Sequence, residues 1–344
     1  MADRSNWTPL HAKLHRTLRS RHLLERSQRL LVAVSGGQDS LCLIKLLLDL
    51  QPKWEWQLGI AHCNHRWRPD SEANANYVEQ LAKNWETSFY CYTAQQPLKS
   101  EAAARQWRYE ALSAIAQENN YNCIVTGHTA SDRAETLLYN LIRGSGADGL
   151  QALTWRRSLG SGLVLVRPLL EVRRFQTAQF CQDMHLTVWE DSTNQDLKYA
   201  RNRIRQELLP YLQTHFNPQV EDSLAQTSEL LQAEVEYLEQ AAWQLLKRAG
   251  EQGELFLEQG ENITSCPSPI RLNRLVLQTA PLALQRRVMR QVLQQALPCT
   301  PSFEQIEKLT ALITAPNGSR TDPFPGGAIA QVKGDWIWLQ SRCC

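Results

Sequence analysis

Apolar residues along the chain come in short runs separated by amphipathic stretches. Leu30-Leu31-Val32-Ala33-Val34 is too short for a helix and lacks the alternation of a half-exposed strand, so it reads as a strand buried on both faces. Leu41 to Leu48, directly after it, carries a helical pattern. The same alternation then repeats. Gln57 to His62 is a second strand, Asp70 to Trp85 a helix, Ser88 to Thr93 a third strand and Glu101 to Glu118 a helix. Asn122 to Thr126 is a fourth strand, Ser131 to Arg143 a helix, Leu163 to Val166 a fifth strand and Glu171 to His185 a helix. Strands and helices that alternate at this spacing predict right-handed crossovers and a doubly wound, mostly parallel sheet covered on both faces. Ligands of such sheets bind beyond the C-terminal ends of the strands, which makes the polar residues after each strand the ones to inspect.

Outside this repeat the pattern is helical. Leu10, Leu14, Leu18 and Leu24 mark an amphipathic helix before the first strand, and Tyr199 to His215 reads as a helix stopped near Pro210. Glu190 to Asn194 is a polar loop. From Val220 to Arg248, Leu230, Leu231, Val235, Leu238, Ala242 and Leu245 recur mostly at spacings of three or four, the signature of one long helix. Further helices are expected at Arg271 to Leu277, Leu282 to Leu297 and Ser302 to Leu312, with short strands at Leu255 to Leu257 and Ala328 to Val332. The fold class is therefore α/β over residues 1–215, with a basic N-terminal helix, followed by a smaller, mainly helical domain over 216–344.

A length of 344 residues suits two domains, and 43% hydrophobic with 21% charged residues excludes a disordered chain. Leu41 to Leu48 is far short of the roughly 18 apolar residues that span a bilayer, and no apolar signal core follows Met1. Nine cysteines without a Cys-x-x-Cys pair indicate reduced thiols in a cytoplasmic protein and argue against a zinc or iron–sulfur site. Cys42, Cys63, Cys91 and Cys123 fall in apolar runs and are expected as small core residues. Residues 1–215 hold 26 Lys and Arg against 21 Asp and Glu, whereas 216–344 hold 11 against 14. The basic bias of the first part is compatible with a polyanionic partner or with solvated helix faces.

The first strand leads into Ser35-Gly36-Gly37-Gln38-Asp39-Ser40 and then a helix. Glycines admit an anion to the backbone, unpaired N–H groups at the helix start point at it, and hydroxyls add donors, so a phosphate belongs here. A Walker A loop would carry Lys where Asp39 stands. A carboxylate among phosphates instead suits a hard cation such as Mg²⁺, although Ser35 or Asp39 as a simple helix cap is the alternative. The loop resembles the Ser-Gly-Gly-x-Asp-Ser fingerprint of the pyrophosphatase-loop ATPases, which cleave ATP between the α- and β-phosphates and adenylate a substrate.

Other strand ends add chemistry. His62 and His65, with Arg66 and Arg68, follow the second strand and suit phosphate or adenine contacts. Glu101 and Arg105 are spaced as an ordinary intrahelical pair, while Arg105 and Arg108 share a face and suit a carboxylate or phosphate. After the fourth strand, Asp132 and Glu135 lie on one helical face, where they serve either as favourable first-turn acids or as a seat for an amine or a metal ion. Lys198, Arg201, Arg203 and Arg205 gather four positive charges in eight residues, which suits either a phosphate contact or a solvated helix face.

In combination, Gly127-His128, Asp132-x-x-Glu135-Thr136, Arg143-Gly144-Ser145-Gly146, Glu101-x-x-Ala104-Arg105-x-x-Arg108-Tyr109, Arg167-Pro168-Leu169-Leu170, Asp191-Ser192-x-Asn194 and Arg201-Asn202-x-Ile204-Arg205 resemble the tRNA(Ile)-lysidine synthetase family over residues 30–215. That resemblance implies a ligase that uses ATP and L-lysine to convert the wobble cytidine of a CAU-anticodon isoleucine tRNA to lysidine through an adenylated cytidine. It implies ATP on Ser35, Gly36, Gly37, Gln38, Asp39, Ser40 and His62, with Mg²⁺ at Asp39. It further implies lysine held by Asp132, Glu135, Arg105 and Arg108, with Asp39, Asp132, Glu135 and Arg105 catalytic, and tRNA on Lys198, Arg201, Arg203 and Arg205. The family has Asp-Asp-Gln where this chain has Ser131-Asp132-Arg133, so no role passes to Ser131 or Arg133. A homodimer is left open. The alternatives are a related tRNA thiolase, disfavoured by the absence of paired cysteines, and a non-catalytic nucleotide-binding module on the same sheet.

Overall fold

The computed structural model describes residues 7–67, 69–96, 100–189, 196–250 and 269–340. They fall into two compact units divided between Gln232 and Ala233. The first unit runs α1 (Pro9–Ser20), β1 (Arg29–Ala33), α2 (Gln38–Trp54), β2 (Gln57–Asn64), α3 (Ser71–Asn84), β3 (Ser88–Thr93), α4 (Glu101–Glu118), β4 (Cys123–Thr126) and α5 (Ala130–Ile142). It continues through α6 (Ala147–Leu150), β5 (Arg156–Gly160), β6 (Leu163–Val166), α7 (Arg174–Asp183), α8 (Ala200–Arg203), a π-helical turn (Ile204–Leu208), α9 (Leu209–His215) and the start of α10 (Val220–Ala249).

The six strands are ordered β3-β2-β1-β4-β6-β5, and all neighbours are parallel except β5, which pairs antiparallel with β6. Successive side chains of β1 serve opposite faces of the sheet. Leu30 and Val32 join a large core with Leu14, Leu18, Leu43, Leu47 and Phe180, while Leu31 joins a second core with Leu112, Ile115 and Ile124. The strand order reverses between β1 and β4, so the loops after these two strands diverge and leave a crevice at the switch point.

Several elements differ from the sequence expectation for identifiable reasons. The edge strand β5 is Arg156-Arg157-Ser158-Leu159-Gly160, and three of its residues are exposed, so it lacks the apolar signal of a central strand. Pro210 does not stop the helix, because the chain passes through the π turn and Pro210 occupies the first turn of α9, where no N–H is needed. Helix α7 starts at Arg174 rather than Glu171. Cys42 and Cys123 are buried as expected, whereas Cys91 is exposed on β3, the opposite edge of the sheet.

In the second unit, the end of α10 is followed by β7 (Ile270–Asn273), α11 (Arg274–Gln278), α12 (Leu282–Ala296), α13 (Phe303–Ala311), β8 (Ile329–Lys333) and β9 (Trp336–Gln340). The strands form an antiparallel sheet ordered β7-β9-β8. Arg271 is thus in a strand instead of the expected helix, which begins after Asn273 caps it with its side chain. The expected strand at Leu255 to Leu257, the polar loop Glu190 to Asn194, Arg68 and the side chain of Glu101 lie outside the described residues. The division at Gln232 falls inside α10, beyond His215, because acids in the first turns of that helix bind residues of the α/β unit.

Candidate active site

A cleft of about 480 Å³ opens at the switch point between β1 and β4. Ser35, Gly37, Gln38, Asp39, Ser40, His62, Arg105, Arg108, Asp132, Arg201 and Arg205 all line it. Residues read separately at five places along the chain therefore meet in one place. Gly36, Glu135, Lys198 and Arg203 do not line it.

The loop after β1 is held by its own hydroxyls. Ser40 Oγ donates to the Gly37 carbonyl (2.8 Å) and accepts from Ser35 N (3.1 Å), and Asn74 Nδ2 donates to the Ser35 carbonyl (3.0 Å). Gly36 has φ +88°, and a Cβ there would stand 2.4 Å from Asn74 Oδ1, so only glycine fits. Helix α2 starts at Gly37 without a side-chain cap, which leaves its first N–H groups for an anion. The capping alternative for Ser35 and Asp39 therefore does not hold. Gln38 turns away from the loop and donates to Thr177 Oγ1 (3.2 Å) and the Arg174 carbonyl (3.0 Å). His62 Nδ1 lies 2.8 Å from the Val34 carbonyl, which can only accept, so that nitrogen carries the proton.

Arg174, at the first position of α7, organises the acids. Its Nη2 is 3.1 Å from Asp39 Oδ2 and donates to Asp132 Oδ1 at 2.9 Å, and its Nη1 is 3.8 Å from Glu135. Thr177 Oγ1 makes a short hydrogen bond to the other Asp39 oxygen. Asp132 closes a capping box, its Oδ2 accepting from Thr129 N (2.8 Å) and Thr129 Oγ1 (2.9 Å). Glu135, 3% exposed, is gripped by both nitrogens of an Arg205 fork at 2.6 and 2.8 Å. Arg205 thus spends its charge on Glu135 instead of facing solvent. Arg203 is applied to the Leu197 carbonyl (3.3 Å), and Arg201 stacks on the Tyr139 ring at 5.6 Å while lining the cleft.

These contacts split the acids. Burial, reinforced by Asp132, holds the Asp39 carboxyl above its usual range despite Arg174. Burial works the same way on Asp132 but is outweighed by Arg174, the Thr129 amide and Arg205, which hold it below. Glu135 is raised by burial and Asp132 in spite of Arg205. His128, lining the cleft beside Thr126, is pushed down to about 3 by burial and the Arg167 charge, so its imidazole is neutral at pH 7. Arg174, Thr177, Asn74 and Trp189 escaped the sequence reading. None of them follows a strand of the repeat, and only the Arg-Arg pair at 173 and 174 offered any signal.

The region 8–212 matches the PP-loop domain family, and residues 272–338 match the TilS substrate binding domain. A tRNA(Ile)-lysidine synthase of Nostoc sp. is 70% identical over 97% of this chain and 98% of its own length. The chain belongs to the tRNA(Ile)-lysidine synthase family. A second member, from Synechocystis sp., is 50% identical over 96% of the chain and 97% of its own length. Among solved structures, a U34-tRNA thiolase from Methanococcus maripaludis shares the fold with a TM-score of 0.56 at 15% identity, covering 64% of this chain and 77% of that one. The family is that of a PP-loop ATP-binding enzyme that modifies tRNA, and the cleft lies within the matched PP-loop region.

No three His, Cys, Asp or Glu side chains among the described residues form a metal cage. That donor set fits Mg²⁺ nonetheless, because Mg²⁺ on a nucleotide takes one or two carboxylates and completes its shell with phosphates and water. Asp39 and Asp132 already converge on a single cationic nitrogen of Arg174. Among the described residues, no helix is long and apolar enough to cross a membrane.

Proposed function

We propose that this chain ligates L-lysine to C2 of the wobble cytidine in an isoleucine tRNA with a CAU anticodon, at the expense of ATP. The observation that carries the reading is the convergence of Asp39, Asp132 and Arg174 between the uncapped start of α2 and the start of α5, in a chain whose relatives bear that activity in their name. The ATP phosphates lie on Ser35 to Ser40 with the loop amides as donors. The C2 oxygen of cytidine attacks the α-phosphorus, the bond to the bridging oxygen breaks, and pyrophosphate leaves. The lysine ε-amine then attacks C2, AMP departs with that oxygen, and the nitrogen loses its proton.

Mg²⁺, when bound by Asp39 with Asp132, neutralises charge on the phosphates. The protein's own residues position and stabilise. Asp132 and Glu135 supply the negative field for the lysine ammonium groups, and Arg105 and Arg108 face its carboxylate or the phosphates across the cleft. Lys198, Arg201 and Arg203 are the candidate tRNA phosphate contacts, with Arg205 acting through Glu135. Such an enzyme works in the cytoplasm, where its tRNA is.

The test is incorporation of labelled lysine into transcribed CAU-anticodon isoleucine tRNA with ATP present. Label that disappears when the wobble C is replaced supports the reading. Equal label in any tRNA, or ATP turnover without label, overturns it.

A further inference from the structure

Ser131 and Arg133 flank Asp132, and their side chains point to the same helix. Ser131 Oγ donates to Glu221 Oε2 at 2.6 Å. The Arg133 guanidinium, 1% exposed, donates to Glu229 Oε2 (2.7 Å) and Gln232 Oε1 (3.1 Å). Positions 221, 229 and 232 share one face of α10 by helical spacing. The same face reaches the other partner of Asp132. Arg173, next to Arg174 in the chain, donates through Nε to Asp222 (2.6 Å), and the Arg174 amide donates to Ser131 Oγ (3.2 Å).

Glu229 is the hub of this set. Beyond Arg133 it accepts from Trp155 Nε1 (2.8 Å) and Arg21 Nη1 (2.6 Å), and the Arg21 guanidinium lies 4.2 Å over the Trp155 ring. One carboxylate therefore ties α1, α5 and the segment before β5 to α10. A buried guanidinium needs such a partner. Without it, Arg133 must move towards water and take the first turn of α5, and hence Asp132, with it.

We propose that Glu229 is a positioning residue for the ligation reaction: by neutralising the buried Arg133 it keeps that guanidinium from displacing the α5 turn that aims Asp132 at Arg174. Glu229 and Arg133 are a matched pair, so a buried arginine at 133 requires the acid on α10. The inference rests on the ligase reading above, and the test separates the two. Lysine incorporation is measured for the parent chain, Glu229→Gln, Arg133→Gln and the double variant Arg133→Gln/Glu229→Gln, each with its melting temperature and its KM for lysine and for tRNA.

Glu229→Gln is expected to lower kcat about ten-fold or more and raise the KM for lysine, with the KM for tRNA within about two-fold, as a misaimed catalytic carboxylate demands. Arg133→Gln alone is mild, because Glu229 keeps Arg21 and Trp155. The double variant recovers most of the lost kcat, since no guanidinium is left buried without its acid. A parent chain without lysine incorporation sinks the ligase reading. A normal kcat and lysine KM in Glu229→Gln with only a lower melting temperature, or a double variant no better than Glu229→Gln, overturns the positioning role. Should Glu229→Gln fail to fold, the double variant decides: near-parental kcat supports the matched pair, and a ten-fold loss or failure to fold refutes it.

Discussion

Replacing Arg174 by alanine removes the cation shared by Asp39 and Asp132. The two contacts, at 3.1 and 2.9 Å, are each worth about 5 kcal/mol of gross attraction at an effective dielectric of about 20, before desolvation of all three groups is subtracted. Deleting one partner of a buried pair leaves the other charges uncompensated at a cost of roughly 3–5 kcal/mol. The Arg174 side chain is 28% exposed, so water offsets part of that, which sets the expectation near 3 kcal/mol. For a unit of this size, about 3 kcal/mol is a fall in melting temperature of roughly 6–12 °C. The charge origin of the loss fixes its pH dependence. Without Arg174, Asp39, Asp132 and Glu135 all have higher pKa values in the folded state, so the folded variant binds protons more readily than its unfolded chain and gains stability as pH falls towards the carboxylate range. Thermal melts of parent and variant from pH 8 to pH 4.5 should therefore show the largest gap at neutral pH and a narrowing gap below about pH 6. A gap independent of pH would mean that Arg174 contributes packing and not charge. A gap that widens in acid would refute the assignment of the three acids to one site.

Asp39→Asn keeps the shape of the loop but removes the charge, and pyrophosphate release with tRNA and lysine present should drop by about a hundred-fold or more while ATP still binds; full turnover would remove Asp39 from the phosphate chemistry. At Gly127 an added Cβ would stand 2.7 Å from the Asp39 carbonyl oxygen and 2.9 Å from its carbon, both backbone atoms. Gly127→Ala should cost about 1–3 kcal/mol and weaken ATP binding measured by equilibrium titration, whereas an unchanged affinity would show that the α2 start tolerates displacement. His128, whose folded pKa is lowered to about 3 from an ordinary 6.5, contributes stability that is complete above pH 6.5 and is lost as pH falls towards 3. His128→Asn should flatten that acid limb in a pH series of melts, against the opposite slope from the raised Asp39 and Glu135, and an unaltered limb would place the titration elsewhere.

The α/β half was legible because its signals are local. A central strand packed on both faces must be an apolar run, which is why Leu163 to Val166 has the bounds its sequence suggests. The loop at Ser35 was legible for the same reason, since anion binding at a helix start needs adjacent glycines and hydroxyls. What stayed hidden depends on partners far along the chain. Arg174 pairs with a carboxylate 135 positions earlier, and Arg133 with one 96 positions later. Neither has neighbours that distinguish it from a solvated arginine on a helix. Strand β9 was missed although Trp336, Ile337, Trp338 and Leu339 are apolar, because both faces of the strand are apolar and the alternation that marks a half-exposed strand is absent. Arg205 has a partner that its sequence neighbours do not disclose. Four basic residues in a row of eight look like one phosphate patch, yet the helical turn sends Arg205 inward to Glu135 and leaves Arg203 on the Leu197 carbonyl.

The same guanidinium touches Asp39 and Asp132, yet the two carboxyls are displaced in opposite directions, and the reason bears on how the site works. Asp132 is fixed as an anion by donors that belong to its own helix start, the Thr129 amide and hydroxyl, in addition to Arg174. Asp39 is met instead by the side chains of Thr177, Gln38 and Arg174, while Asp132 repels it across the cleft. Asp39, unlike Asp132, is thus left incompletely compensated by the protein alone. On the proposed function, a cation that arrives with the nucleotide compensates Asp39, whereas Asp132 already has donors of its own helix start. In that reading the anion on α5 is fixed by the protein itself. The conditional one on α2 is completed by the ligand it helps to hold.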